Sequence, residues 1–296
     1  MFGLSNEWLR QPWLSIMLAF GCVNLRLVNW NTAKRVKRTG EQSAYIKKFE
    51  ADIIALQEVL PSSETKWREE LSGNYAQIIS SFDLAPNAAV LTKKRMFGQI
   101  IASKFPLTAI PPDQMQVPWR ERALSVQLHA PERDLRFLTT HIPPGASNGW
   151  IKIETIKGIV ENLLSNLGAD QILCGDFNTP QSESAELGVV TFGQRITKGG
   201  KAVVRAKFRG GSGEDWDAAE RALFEDLKRH GIRDASSDRN PNRFDAFSWS
   251  FKRNGKILRN RFDHVFVSEG FEVESCEFRN DQNHLSDHSP ILAVLT

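Results

Sequence analysis

Carboxylates, amides and a histidine recur where apolar runs of this chain end. The run Leu25–Asn31 (LRLVNWN) closes on Asn31, residues 52–59 (DIIALQEV) carry Gln57 and Glu58, and residues 171–174 lead into Gly175-Asp176-Phe177-Asn178. Asp263 stands among aromatics in residues 261–267, and Ser286-Asp287-His288 precedes the last apolar run. Polar groups at the mouths of apolar strands are where open sheets bind ligands. Four converging carboxylates (Glu58, Asp176, Asp263, Asp287) beside Asn31, Asn178 and His288 would repel one another without a cation among them. Hard oxygen donors with no paired cysteines suit Mg²⁺ or Mn²⁺, and a histidine beside such a metal can transfer protons. Taken singly, each piece has an ordinary reading. Asn31 can cap a turn, Asp176-Phe177-Asn178 can be an Asx-turn, and Asp287-His288 can be a salt-bridge pair. Their joint occurrence in this order is what points to a site.

Such groups meet only if strands bring them together. Leu25–Asn31 alternates apolar and polar residues as a half-buried strand does, and residues 52–59 read as a buried strand. Further strands are expected near 88–92, 98–103, 123–129, 135–140, 171–174, 247–251, 261–267, 271–278 and 291–295. Helices are expected over 41–50, 62–71, 148–167 and 216–230. In the third, Asn148 caps, Ile153, Ile156, Val160, Leu163 and Leu167 form the inner stripe, and Gly168 ends it. Short links between the middle strands imply mixed sheets, and two sheets packed face to face with helices outside account for the elements.

The chain has 296 residues, 41% hydrophobic and 25% charged, which excludes disordered and collagen-like classes. One large domain or two are admissible at this length. Basic and acidic residues number 38 and 35, too close a balance to name a partner. Cys22, Cys174 and Cys276 are far apart, so neither a zinc motif nor a closed disulfide set is expected, and a reducing, cytoplasmic compartment follows. The apolar stretch 13–23 is too short for a membrane span, which needs roughly 20 residues. It lacks an A-x-A site, so a packed N-terminal extension over residues 1–24 is expected rather than export. Residues 187–213 carry Arg195, Lys198, Lys201, Arg205, Lys207 and Arg209, no acidic residue and several glycines. This reads as a mobile basic loop or hairpin inserted between two elements.

The order of the polar motifs resembles the endonuclease/exonuclease/phosphatase superfamily, which has the deoxyribonuclease I-like fold. The matching pieces are Trp30-Asn31, Leu56-Gln57-Glu58-Val59, residues 102–107 (ASKFPL), Thr140-His141, Gly175-Asp176-Phe177-Asn178, residues 261–265 (RFDHV) and residues 286–290 (SDHSP). They span nearly the whole chain, so one domain over 25–296 is expected. The resemblance implies a four-layer α/β sandwich and metal-dependent hydrolysis of a phosphate ester. By matching position, Glu58 would hold the metal, with Asn31 and Asp287 supporting it. Asp176 would orient or deprotonate water, Asn178 would bond a phosphoryl oxygen, and His288 paired with Asp263 would contact the phosphate or act as base. His141 matches a second histidine of the deoxyribonuclease I-like branch, and Arg120 or Arg122 a phosphate-binding arginine. Two departures stand out. Abasic-site enzymes of the superfamily usually carry a lysine soon after the Gln-Glu pair and a tyrosine at the His141 position; here Leu60 and Pro61 follow Val59. A carboxylate partner for His141 is also missing from residues 96–107.

The superfamily acts on DNA, RNA, inositol phosphates, sphingomyelin and protein–nucleic-acid adducts, so the resemblance does not name a substrate. Charge placement does more. Lys34, Arg35, Lys37 and Arg38 follow Asn31, and the segment with Lys198, Lys201 and Arg205 follows the Asp176 loop. Arg239, Arg243, Arg253, Lys256, Arg259 and Arg261 lead up to Asp263. Basic clusters abutting metal-site motifs suit a polyanion track. The expectation is therefore a nuclease of low sequence specificity acting on DNA or RNA. A lipid or small-molecule phosphodiesterase, with Trp119 and Trp150 as a hydrophobic lip, is the alternative. A non-enzymatic module is disfavoured because every matched metal-site position is filled.

Overall fold

The computed structural model describes residues 24–84, 91, 95–282 and 284–296. Cys22, nearly all of the expected N-terminal extension and most of the strand expected at 88–92 lie outside the described residues. Two six-stranded sheets dominate. The first contains β1 (Leu25–Asn31), β2 (Ile53–Val59), β3 (Gln77–Ser80), β4 (Gly98–Ser103), β11 (Val273–Phe278) and β12 (Ile291–Leu295), ordered β11-β12-β1-β2-β4-β3. The second contains β5 (Leu107–Ala109), β6 (Ala123–Ala130), β7 (Arg133–His141), β8 (Gln171–Asp176), β9 (Arg233–Asp234) and β10 (Asp263–Val267), ordered β9-β10-β8-β7-β6-β5.

Each sheet holds one parallel pair, β1 with β2 and β7 with β8, among antiparallel neighbours. A parallel pair needs a crossover, and helices Thr39–Lys47 and Ile151–Leu164 lie within those crossovers. The carboxyl ends of β1, β2, β7 and β8 therefore open on one edge. Between the sheets Leu27, Ile53, Ala55 and Ile101 pack with Val126, Phe137, Ile172 and Val265. Outside the first sheet Tyr45, Ile46, Trp67 and Leu71 cover Val28, Trp30, Ile54 and Leu56. Outside the second, Ile153, Ile156, Ile159 and Leu163 join Trp216 and Leu223 over Leu173 and Phe266. These layers form the expected four-layer sandwich.

The local differences have physical causes. The helix expected over 148–167 is Ile151–Leu164, because Gly149 turns the backbone left-handed (φ 58°) after the short helix Gly145–Asn148. Leu167 falls beyond its end and is exposed rather than on the inner stripe. Helix Gly213–Arg221 starts earlier than expected because the Ser212 side chain accepts from the Asp215 N–H as N-cap. It passes through a π-turn at Ala222–Asp226 before Leu227–Arg229. The basic segment is folded, with Gln194–Ile196 pairing with Ala202–Val204 and Lys207–Phe208 with Gly211–Ser212. Another hairpin, Trp249–Arg253 with Lys256–Asn260, precedes β10. Among the described residues, no helix is long and apolar enough to cross a membrane.

Candidate active site

Alternation along the strands decides which side chains reach the edge between the sheets. On β7 the sequence Leu135, Phe137, Thr139, His141 and on β8 the sequence Ile172, Cys174, Asp176 keep one parity, and the apolar members face the inter-sheet core. Each series ends in a polar residue at the strand's carboxyl end. In β1, Leu25 and Leu27 give way to Asn29 and Asn31 in the same way. Beneath the edge Gln57 ties the sheets together, its Nε2 donating to Asn29 Oδ1 (2.7 Å) and to Thr139 Oγ1 (2.8 Å). Period two alone would send Glu58 to the helix side with Ile54 and Leu56. The register of β2 against β4 shifts after Leu56 and Glu58 is left-handed (φ 54°), and its carboxylate lies 3.6 Å from His141 Nε2. A non-glycine residue held this way at a bulge is local strain of the kind found at functional sites. At Gly175 a Cβ would stand 1.9 Å from the Thr140 carbonyl oxygen, so only glycine lets β8 approach β7 beside His141 and Asp176.

Asp176 is the hub. Its Oδ2 accepts from Asn31 Nδ2 (2.8 Å) and its Oδ1 from the Asn178 N–H (2.9 Å). His141 Nε2 lies 3.7 Å and His288 Nε2 3.8 Å from Oδ2. Asp263 faces Asp176 across the β8–β10 ladder, and its Oδ2 accepts from His288 Nδ1 at 2.7 Å. The 286–288 loop is fastened to β1, Ser286 Oγ donating to the Asn31 carbonyl (2.8 Å) and Trp30 Nε1 to the His288 carbonyl (2.8 Å). Asn178 is left-handed (φ 51°), and its Nδ2 donates to the Ile142 carbonyl (3.0 Å).

Burial and the Asp263 and Glu58 carboxylates raise the Asp176 carboxyl above the ordinary aspartate range, although His288 pulls the other way. For His288, burial works against the charged ring. The carboxylates of Asp263, Asp176 and Asp287 outweigh it and lift the ring to about 10. His141 goes the opposite way, held well below the ordinary value by burial and by Arg122. Arg122 Nη1 bonds His141 Nδ1. A guanidinium can only donate, so Nδ1 is the acceptor and the ring proton sits on Nε2, facing Glu58 and Asp176. The missing partner of His141 is thus an arginine rather than a carboxylate. Nothing in residues 96–107 could have signalled it.

Ligand atoms of Glu58, His141 and Asp176 lie within 4.8 Å of one another, as do those of Asp176, Asp263 and His288. The carboxylates of these groups can hold a metal ion, while both rings face them with protonated Nε2 atoms as donors; the carboxylate crowding that raises Asp176 fits a cation. Of the residues expected around a metal, Glu58 joins the first group and Asp287 lines the cleft. Asn31 Oδ1 instead accepts from the Ala33 N–H (2.9 Å), so its side chain aligns Asp176.

The cleft above has a volume of about 490 Å³ and is walled by Lys34 and Arg35 on one side and by Trp249 and Phe262 on another. Trp249 was not marked by the sequence motifs; its Nε1 donates to Asp287 Oδ2 at 3.3 Å. Of the two candidate arginines, Arg122 is buried beneath His141, whereas Arg120 is exposed beside Pro112, Gln114 and Arg136, away from the cleft. Lys198 and Lys201 are exposed on the basic hairpin. Arg205 holds that hairpin's base, its Nε donating to the Gln194 carbonyl at 2.9 Å. Trp119 and Trp150 do not line the cleft; Trp119 stacks near Arg122 and Arg95, and Trp150 lies against Lys157.

No curated protein sequence matches the chain. Solved structures match its fold over most of their length. D. rerio TDP2 complexed with a single-strand DNA product shares 14% identity at a TM-score of 0.60, with 92% of this chain and 99% of that one covered. The 3′ phosphatase NExo from Neisseria, bound to a product DNA hairpin, gives 16% and 0.64 with 91% and 98% covered. An AP endonuclease from Archaeoglobus fulgidus gives 15% and 0.64 with the same coverage. At these identities the likeness is one of fold. The model of the Endonuclease/Exonuclease/phosphatase family matches residues 28–288. Fold, motif order and family match agree: the chain belongs to the endonuclease/exonuclease/phosphatase family.

Proposed function

We propose that the chain is a divalent-metal-dependent phosphodiesterase that hydrolyses nucleic acid with little sequence specificity. The observation that carries this reading is Asp176 set between two histidines and Glu58, in a cleft with Lys34 and Arg35 on its lip. A bound Mg²⁺ or Mn²⁺, held by Glu58 with Asp287 in support, would supply Lewis-acid stabilisation of charge on the phosphoryl group. Asp176 Oδ2, aligned by Asn31, takes the proton of the attacking water. His288, its Nδ1–H anchored on Asp263, donates from Nε2 to a phosphoryl oxygen as imidazolium. Neutral His141 donates from its Nε2–H, and Asn178 adds an amide donor. Fixed donors aimed at developing charge are the main source of such rate enhancement.

The basic residues at the lip and on the neighbouring hairpin favour a polyanion, and two structural neighbours carry DNA products in their complexes. A lipid or small-molecule phosphodiesterase is the second reading. It is favoured by Trp249 and Phe262 on the cleft wall and by Phe251, Ile257 and Leu258 exposed on the same hairpin as Trp249.

The deciding assay incubates supercoiled plasmid, single-stranded DNA and RNA with Mg²⁺, Mn²⁺ or EDTA, beside Asp176→Asn. Metal-dependent cleavage that the substitution abolishes is expected, with nicked plasmid marking endonucleolytic action. Intact polymers in every lane, with turnover of inositol or lipid phosphates, would move the assignment to the second reading.

A further inference from the structure

Lys152 and Glu220 form an ion pair with almost no solvent exposure, 1% and 0% at the side chains. They come from different helices, Ile151–Leu164 and Gly213–Arg221, on the outer face of the second sheet. Replacing a buried ion pair with well-packed apolar residues is often neutral for stability, so holding two helices together does not account for this one. Its other partners do. Lys152 Nζ also donates to the Asn178 carbonyl at 2.9 Å, and it lies 4.6 Å from the centroid of Phe192. The other oxygen of Glu220 accepts from the Phe192 N–H at 2.7 Å. Phe192 and Gly193 stand at the root of the basic hairpin, where the Gly193 carbonyl accepts from the Arg205 N–H at 2.9 Å.

Asn178 is therefore held at three points. Its N–H bonds Asp176, its side-chain amide bonds Ile142, and its carbonyl receives Lys152. Left-handed backbone on a residue with a Cβ persists only when its surroundings over-determine it, and the lysine is the tether that comes from outside the site. A neighbouring relay repeats the arrangement one residue on, with His264 Nε2 donating to the Thr179 carbonyl (3.0 Å) and Asp234 meeting His264 Nδ1 (2.6 Å).

We infer that Lys152, backed by Glu220, is a positioning residue that fixes the Asn178 amide for phosphate binding and ties it to the root of the basic hairpin. The inference rests on the reading of Asn178 as a phosphate-binding amide, so Asn178→Ala is a separate control.

The test compares wild type, Lys152→Met and the double variant Lys152→Met/Glu220→Leu, which removes both buried charges. The readouts are Mn²⁺-dependent hydrolysis of bis(p-nitrophenyl) phosphate, thermal melting, and hydrogen exchange at the Asn178 and Thr179 amides. Lys152→Met alone leaves Glu220 buried and unpaired and is expected to melt earlier. The double variant should recover melting while kcat stays down on the order of 10²-fold, the loss expected from a small misplacement of a reacting group. KM for this small substrate should change little, and exchange at residues 178–179 should accelerate. Recovery of kcat together with melting, or unchanged exchange in the double variant, would overturn the inference. Full activity in Asn178→Ala would instead sink the role of Asn178 itself, and the exchange data would still report whether Lys152 holds the loop.

Discussion

Two histidines flank Asp176 at nearly equal distances, 3.7 and 3.8 Å, and both are buried, yet their neighbours drive them to opposite charge states. His288 leans on Asp263 and carries a proton on each nitrogen to about pH 10. His141 leans on Arg122 and stays neutral. Residue type and distance to the hub are the same; what differs is the sign of the group behind the ring. One site thus gains a charged donor and an uncharged one, with neither repelling the other across the Asp176 carboxylate. Two imidazolium rings there would compete with any bound cation, and two neutral rings would leave the phosphate charge less compensated.

The largest effects should come from removing the rings. His288→Ala is expected to lower kcat by about 10³- to 10⁴-fold, at the upper range for a positioned acid or base. His141→Ala should cost about 10²-fold, as for one lost neutral donor. Equal losses in a side-by-side phosphodiester assay would break the distinction.

Next comes the charge behind His288. Asp263→Asn removes the first of the carboxylates that raise it, so the midpoint seen by NMR titration of the metal-free protein should fall well below 10. The linkage sign follows from the raised folded value. Stability from this ring is fully present below the unfolded value of about 6.5 and is lost as pH rises towards 10. Wild type should therefore lose denaturant stability over that interval, and Asp263→Asn should lose less. A smaller effect is expected from Arg122→Met, with the His141 midpoint moving up and kcat falling about 10-fold, as for a partner that orients a site residue. Gln57→Leu lies beneath both rings. It leaves Asn29 and Thr139 without their shared donor and should cost about 1–3 kcal/mol in denaturant melts, with turnover little changed. Smallest of all, Lys198→Ser with Lys201→Ser should leave turnover of a small phosphodiester intact and reduce the salt slope of nucleic-acid binding by about two contacts' worth.

Much of this comparison could be read in the chain. Asp176, Asn178, Asp263 and His288 stand in or beside apolar runs in a recognisable order, and the structure gathers Asp176, Asn178 and His288 in one cleft with Asp263 buried behind His288. What stayed hidden depends on which strand lies beside which. Arg120 and Arg122 are equivalent in sequence, and only the pairing of β6 with β7 puts Arg122 under His141. Glu58 reaches the cleft through a bulge that alternation does not predict. Lys152 meets Glu220 across 68 positions because two helices share one sheet face, and the stripe-forming residues of the first helix give no hint of it. The wrongly extended helix at Leu167 has a local cause, since an apolar residue in phase with the stripe looks buried whether or not the helix reaches it.

The order β11-β12-β1 carries a consequence for truncated chains. The second sheet is built from residues 107–267, whereas the first is begun by residues 25–103 and finished by residues 273–295. β12 fills the gap between β1 and β11, and the loop that carries Asp287 and His288 leads directly into it. A chain that stops at His288 therefore leaves one side of β1 open, and the loop carrying His288 is held by its bonds to Asn31, Trp30 and Asp263. β12 thus closes the first sheet and holds the loop of Asp287 and His288 from its far side, so a chain cut short before it would keep the second sheet whole and leave that loop with a free end.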